Sequence, residues 1–297
     1  MQYYKTTGTR IFTVFNSIFM VGICFICIAP LVHVIFASVS DPLEVQLAGG
    51  LLLWPRGQIQ FDAYRIITRY KGLWTGYLNT IFYMVAQCLI VIVTTTISGY
   101  VLSKKSFRYR GVLMVFMLGT MLFNGGMIPT FIVVRALQLL DTRWVMLLPG
   151  AYSVFYIIIM RTTIKGIPDS LEESIRIDGG SDWTVITRII LPLCKATIAV
   201  IVLFTAVGKW NEWFSALIYL PTRKDLYPMQ MFIREILVTE TSIAVSGDIT
   251  QVIENAQLYK TLVKYATIVV TTLPILAIYP FVQKYFVKGV IIGSVKG

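Results

Sequence analysis

Residues 77–102 read YLNTIFYMVAQCLIVIVTTTISGYVL, 26 residues without one acid or base. A helix needs about 20 mostly apolar residues to cross the hydrocarbon core of a bilayer, so this run is long enough to span it. Five further stretches qualify: Ile11 to Val39, Val112 to Val134, Trp144 to Met160, Thr197 to Leu220 and Tyr265 to Phe286. The runs are continuous, whereas the strands of a spanning barrel alternate over short segments. The reading is an all-α integral membrane protein with six transmembrane helices, a single membrane domain over residues 1–297. The first stretch is too long for the apolar core of a signal peptide, and no small-x-small site follows it.

Composition agrees. Of the 297 residues 56% are apolar and 14% charged, and the mean hydropathy is +0.73. A soluble domain carries about 25% charged and about 45–50% apolar residues. These figures exclude a disordered chain, a collagen-like one and a disulfide-stapled secreted fold. The net charge of +11 would suggest nucleic acid in a soluble protein. Here the basic residues fall between apolar runs, so they report topology instead. Lys5 and Arg10, then Lys104, Lys105, Arg108 and Arg110, then Lys284, Lys288 and Lys296 occupy three acid-free segments. With six spans these segments share one side, and the positive-inside rule makes it the cytoplasm, with both termini there. Loops of about 40–76, 135–143 and 221–264 then face outward. Trp74, Tyr77, Trp144 and Tyr219 sit near span ends as headgroup anchors. Phe61 to Tyr70, with Phe61, Tyr64 and Ile67 on one face, reads as a surface-lying amphipathic segment.

Little points to catalysis. Cys24 and Cys27 lie within the first span, as small apolar packing residues rather than a redox or metal pair. His33 is the only histidine, and no G-x-x-x-x-G-K-[ST] occurs; Gly208-Lys209 is followed by Trp210. No metal site is expected, and the chain does not read as an enzyme.

The segment 164–196, IKGIPDSLEESIRIDGGSDWTVITRIILPLCKA, carries the functional information. It predicts two short helices around a glycine turn. Ser170 with Glu173 forms a candidate capping box, Ser181 a second cap, and Pro192 ends the run. Ile167, Leu171 and Ile175 share one apolar face. Such a loop can lie on the membrane, pack under the bundle, or dock a cytoplasmic partner. Lys209 and Glu212 fall near the middle of the fifth span, where an unpaired charge costs roughly 2.5–3.5 kcal/mol. At i, i+3 they can neutralise one another, or with Trp210 and Asn211 they can line a polar pathway. Gln87 and Asn124 are further intraspan polar residues, suited to helix–helix contact or to that pathway. Gly125-Gly126 with Pro129, and Pro274 with Pro280, predict kinks in spans three and six.

Glu173-Ser174-Ile175, Asp178-Gly179-Gly180 and Ile189-Ile190-Leu191-Pro192 resemble the EAA loop of ABC importer permeases. Nine residues separate Gly179 from Ile189, as in that pattern. Ser174 and Ile175 replace its two alanines, and Ala196 stands where many sugar permeases have proline. Asn79-Thr80, the run Lys209 to Leu217 and the ending Val287 to Gly297 are similar to carbohydrate permeases of the shorter, maltose-permease-like type. The resemblance implies a type I importer permease fold with cytoplasmic coupling helices. It implies a core over 77–281, a coupling loop over 164–196 and a cytoplasmic tail over 284–297.

The partners it implies are a second permease in a heterodimer, two ATPase subunits carrying ATP and Mg, and an extracytoplasmic binding protein. No cofactor is implied in this chain. In such permeases the coupling residues would be Glu173, Asp178 and Gly179, with Leu171, Ile175 and Ile186 as anchors and Leu191-Pro192 closing the elbow. Gly293 and Lys296 would reach the ATPases from the tail, or anchor on acidic lipid. The cargo would be a complex oligosaccharide, with acidic alginate- or pectin-type chains among those the resemblance suggests. The alternatives are a stand-alone secondary transporter or channel for a polar solute and, needing a catalytic constellation, a membrane enzyme.

Overall fold

In a computed structural model the described residues are 7–123, 125–238 and 261–277, and all regular structure among them is helical. The helices are α1 (Thr7–Val39), α2 (Pro42–Ala48), α3 (Asp62–Arg69), α4 (Lys71–Ser103), α5 (Arg110–Leu122), α6 (Met127–Ala136) and α7 (Val154–Lys165). They continue as α8 (Asp169–Ile177), α9 (Asp182–Leu193), α10 (Lys195–Trp210), α11 (Phe214–Tyr219), α12 (Met229–Val238) and α13 (Thr261–Ala277).

Two of the expected spanning stretches are single helices and two are bent, and a further bend joins the 164–196 loop to the fifth. α1 and α4 run for 33 residues each. α5 and α6 meet at 113°, the segment Arg143–Gly150 meets α7 at 48°, and α9 turns into α10 at 80°. At the first bend Gly126 has φ +86, a conformation that side chains disfavour. At the second, two 3₁₀ turns stand where a regular helix was expected, and α7 begins only after Ser153, whose hydroxyl accepts from the Tyr156 N–H. The expected fifth span, 197–220, is interrupted: α10 stops at Trp210 and α11 resumes at Phe214. α13 gives the described part of the sixth, and Pro280 lies outside the described residues.

The described chain divides into two compact units, residues 7–71 with 235–238 and 261–274, and residues 72–123 and 125–234 with 275–277. In the first, Ala63 and Ile67 of α3 are buried and the Tyr64 hydroxyl meets Ser38 Oγ at 2.6 Å. The 61–70 segment thus packs its Ala63–Ile67 side into protein, and of the three residues expected on its apolar face only Phe61 is exposed. His33 Nδ1 accepts from the Leu52 N–H at 3.0 Å. Of α1 only Ala29, Ala37 and Ser38 are buried. Cys24 and Cys27 are exposed on it, so they make no core contact of the kind expected, while Cys194 is buried.

In the second unit α4 buries Leu73, Gly76, Thr80, Tyr83, Gln87 and Val91, steps of three and four along one face. One core joins the functional loop to the spans: Val91 and Tyr100 of α4, Met160 and Ile164 of α7, Val185, Ile186, Ile189 and Ile190 of α9, with Cys194 and Ile201. Two expected anchors are inside the protein. Tyr219 is buried and stacks on Phe131, and Tyr77 meets Trp210 edge-on, whereas Trp74 and Trp144 are exposed.

Candidate functional site: coupling loop and polar cavity

α8 starts directly after Pro168, with no side chain capping it. The expected capping box is therefore not formed: Ser170 already lies inside the helix. The second cap is formed, Ser181 Oγ accepting from the Thr184 N–H. Between the helices Gly179 takes φ +76, and the Gly180 N–H closes on the Ile175 carbonyl at 2.8 Å. α9 contains a π turn over Ile186–Ile190, where the Leu191 N–H reaches back to Ile186. Pro192 has no N–H for the Arg188 carbonyl, which suits a wider turn just before it.

The inner side of the loop is tied to the end of α4 through charges. Glu172 accepts from Lys104 Nζ, from the Tyr100 hydroxyl at 3.1 Å and from Arg176 at 2.8 Å. The Tyr100 hydroxyl also lies 3.0 Å from Asp182, and Arg176 bonds Asp182 as well. Lys104 sits 4.2 Å from the centre of the Tyr100 ring. The bond from Arg176, then that from Tyr100, holds the Asp182 carboxyl below its ordinary range. Burial, then repulsion from Arg176, lowers Lys104.

The outer side is apolar and uncovered. Ile177 is 86% exposed and Trp183 64%, with Leu171 and Asp178 beside them. Of the expected anchors, only Leu171 faces out. Ile186 is buried, and Ile175 and Leu191 pack against the same core, so these three stiffen the loop from within. Pro192 is exposed, and Glu173 is exposed at the edge of a cleft beside α8.

A second site lies where the fifth span breaks. A cavity of ≈ 370 Å³ is lined by Gln87, Lys209, Asn211, Glu212, Trp213 and Phe214 among others. Lys209 Nζ donates to the Met146 carbonyl and to Glu212 at 2.6 Å, and Ser215 donates to Glu212 at 2.7 Å. The pair thus bridges the end of α10 rather than sharing a continuous helix. Asn211 Nδ2 returns to the Val207 carbonyl at 2.9 Å. Gln87 is 1% exposed, and neither its amide nitrogen nor its oxygen has a partner. Irregular backbone at membrane depth is tolerated where it lines such a cavity. Trp210 is buried against Tyr77 and does not line it. Asn124, Gly293 and Lys296 lie outside the described residues. No cluster suited to a metal ion occurs among the described residues.

The family described as binding-protein-dependent transport system inner membrane component matches residues 72–292. The chain belongs to this family. The permease is 38% identical over 294 residues to protein LplC of Bacillus subtilis (strain 168), covering 99% of this chain and 98% of that one. It is 38% identical over 288 residues to the polygalacturonan/rhamnogalacturonan transport system permease protein YtcP of the same organism, covering 97% and 99%. Its fold matches a chain in the crystal structure of a bacterial ABC transporter involved in the import of the acidic polysaccharide alginate. The TM-score is 0.85 with 31% identity, over 96% of this chain and all of that one. The protein is thus a multi-pass inner-membrane permease of a carbohydrate ABC importer and not an enzyme, ATP hydrolysis occurring on separate subunits.

Of the residues read in the sequence as a polar pathway or as helix–helix contacts in this permease, Lys209, Asn211, Glu212 and Gln87 line one cavity, Trp210 does not, and Asn124 lies outside the described residues. Sequence reasoning missed Trp213 and Phe214, which border the same break, and the cluster of Tyr100, Lys104, Glu172, Arg176 and Asp182. The pairing of Glu172 with Arg176 at i, i+4 was the available signal for the cluster.

Proposed function

We propose that this permease moves an acidic oligosaccharide inward by alternating access, driven by two ATPase subunits docked on the α8–α9 loop. It works with a second permease and an external binding protein, and both its termini lie in the cytoplasm. The observation that carries the reading is the cavity at the broken span. There an unpaired amide (Gln87), the mutually neutralised pair of Lys209 and Glu212 and two aromatic rings (Trp213 and Phe214) meet in one place. Rings stack on the apolar faces of sugars, and amides and carboxylates bond their hydroxyls, so the cavity itself speaks for a sugar. The names of YtcP and of the alginate importer support an acidic cargo.

In the coupling loop Leu171, Glu173, Asp178 and Gly179, together with Ile177 and Trp183, form the docking face. Ile175, Ile186, Leu191 and Pro192 keep it rigid, so that closure of the ATPases moves the spans as a body. Gly293 and Lys296 in the tail extend the contact. The test is the full complex in proteoliposomes with its binding protein. Oligogalacturonate or oligoalginate should stimulate ATP-driven uptake, and neutral oligosaccharides of equal length should not. Equal stimulation by the neutral chains would remove the acidic assignment. Normal uptake by a membrane-inserted Glu173→Lys variant would remove the coupling assignment.

A further inference from the structure

Trp213 stands in the break between α10 and α11, outside both helices, so no helical turn fixes its ring. The indole is 37% exposed and forms part of the cavity wall. Phe214 meets it edge-on, the ring centres 5.5 Å apart at 85°. Over its face lies the guanidinium of Arg234 from α12, 5.2 Å from the ring centre. Arg234 is partly buried, does not itself line the cavity, and forms no ion pair or hydrogen bond among the described residues. The indole is what its charge meets.

The chain that brings Arg234 to the ring is fastened to α4. Asn79 Nδ2 donates to the carbonyls of Asp225 at 2.7 Å and Tyr227 at 3.1 Å, and the Tyr83 hydroxyl donates to that of Leu226 at 2.9 Å. Thr80 Oγ1 accepts the Met229 N–H at 2.8 Å, at the first residue of α12. A Cβ on Gly76 would stand 3.1 Å from Met229 Cα, so the two helices meet there backbone to backbone. Met231, Phe232 and Ile236 are buried, which seats α12 along its length. Asn79-Thr80, a pair the sequence singled out without a role, thus pins the foot of α12, with Arg234 about a turn and a half above it. The same α4 carries Gln87 into the cavity two turns beyond Thr80. We propose that Arg234 is a positioning residue for cargo recognition: its guanidinium holds the Trp213 indole in the cavity wall, so that the exposed part of the ring is set to meet a sugar. Guanidinium planes stack on aromatic faces, the cation is attracted to the ring, and a binding group fixes a ligand only when its neighbours lock it in place. The proposal rests on the reading of this cavity as the cargo path and does not depend on the charge of the cargo.

The full complex with its binding protein, trapped with vanadate, tests it. The probe is the oligosaccharide that drives uptake, trigalacturonate or maltotriose, and the readout is the amount the trapped complex retains. Arg234→Met keeps the reach of the side chain and removes the cation. It should lower retention by about threefold to tenfold, and Arg234→Lys should recover part of the loss. In complex labelled with 5-fluorotryptophan, the Trp213 resonance, identified by its absence from Trp213→Phe, should shift in Arg234→Met and move back in Arg234→Lys. In a Trp213→Leu background Arg234→Met should have no further effect on retention. A further loss there overturns the proposal in favour of direct contact between Arg234 and the cargo. An unmoved Trp213 resonance overturns it, as does unchanged retention in Arg234→Met while Trp213→Leu lowers it, and in both cases the cavity reading stands. Retention untouched by Trp213→Leu removes the cavity reading and the proposal with it.

Discussion

The hydroxyl of Tyr100, in the last turn of α4, lies 3.0 Å from the Asp182 carboxylate at the start of α9. A spanning helix and the coupling loop are thereby joined by one side chain, which also reaches Glu172 of α8. The phenol has one proton for two carboxylates, and Arg176 and Lys104 supply further donors.

Tyr100→Phe keeps the ring against its neighbours and removes this link. Hydrogen bonds to charged groups contribute about 1.5–3 kcal/mol, so the loop should loosen without the fold being lost. The expected outcome is fewer molecules transported per ATP hydrolysed, with basal hydrolysis maintained. Uptake and hydrolysis measured together in proteoliposomes check this, and an unchanged ratio would count against Tyr100 as the strut.

The Asp182 carboxyl is held below its ordinary value of 3.8 by Arg176 and then Tyr100. A depressed carboxylate adds stability at pH values above its unfolded value, and that stability is lost as pH falls through the folded one. Hydrogen exchange in α8 and α9, corrected for intrinsic rates, should therefore stay flat from neutral pH to about 5 and rise only below the ordinary carboxylate range. Loosening that begins near pH 6 would contradict this assignment.

Lys209 and Glu212 have side chains only 11% and 22% exposed. Removing one member of a buried pair costs about 3–5 kcal/mol. Lys209→Met and Glu212→Leu should each lower the melting temperature of the complex, and the double variant should regain most of the loss. Additive losses in the double variant would show that the two do not act as a pair.

Gln87 is a different case, because its amide makes no bond to lose. Replacing an unsatisfied buried polar group by an apolar one of similar shape is neutral or stabilising. Gln87→Leu should leave the melting temperature equal or higher while raising the KM for cargo. A lower melting temperature with unchanged KM would make Gln87 a packing residue only.

The apolar runs were legible because a bilayer demands length and hydropathy, and both are local properties. The breaks were less so. Gly125-Gly126 announces the bend between α5 and α6, but the halt of α10 at Trp210, beside Lys209 and its bond to the distant Met146 carbonyl, has no glycine or proline at the break itself to announce it. The loop shows the same division. Periodicity grouped Ile167, Leu171 and Ile175 on one face, yet it cannot say whether that face meets a partner or the protein's own interior. Ile175 and Ile186 turn inward, and Ile177 and Trp183, off the expected face, turn outward. Glu172 and Glu173 are adjacent acids with opposite fates. Only the position of Lys104 and Tyr100 separates them.

The π turn at Ile186–Ile190 holds one residue more than a regular helix would over the same rise. An added residue advances everything downstream by about 100° about the axis. Phase is thus built into the stretch between Gly179 and Pro192, like the indexing of a gear. A single deletion there would straighten the helix and at the same time swing α10 by more than a quarter revolution, carrying Lys209 away from the cavity or Asp182 away from Tyr100. The nine-residue interval between Gly179 and Ile189 is in this sense an angular setting, and counting it in the sequence measures a rotation.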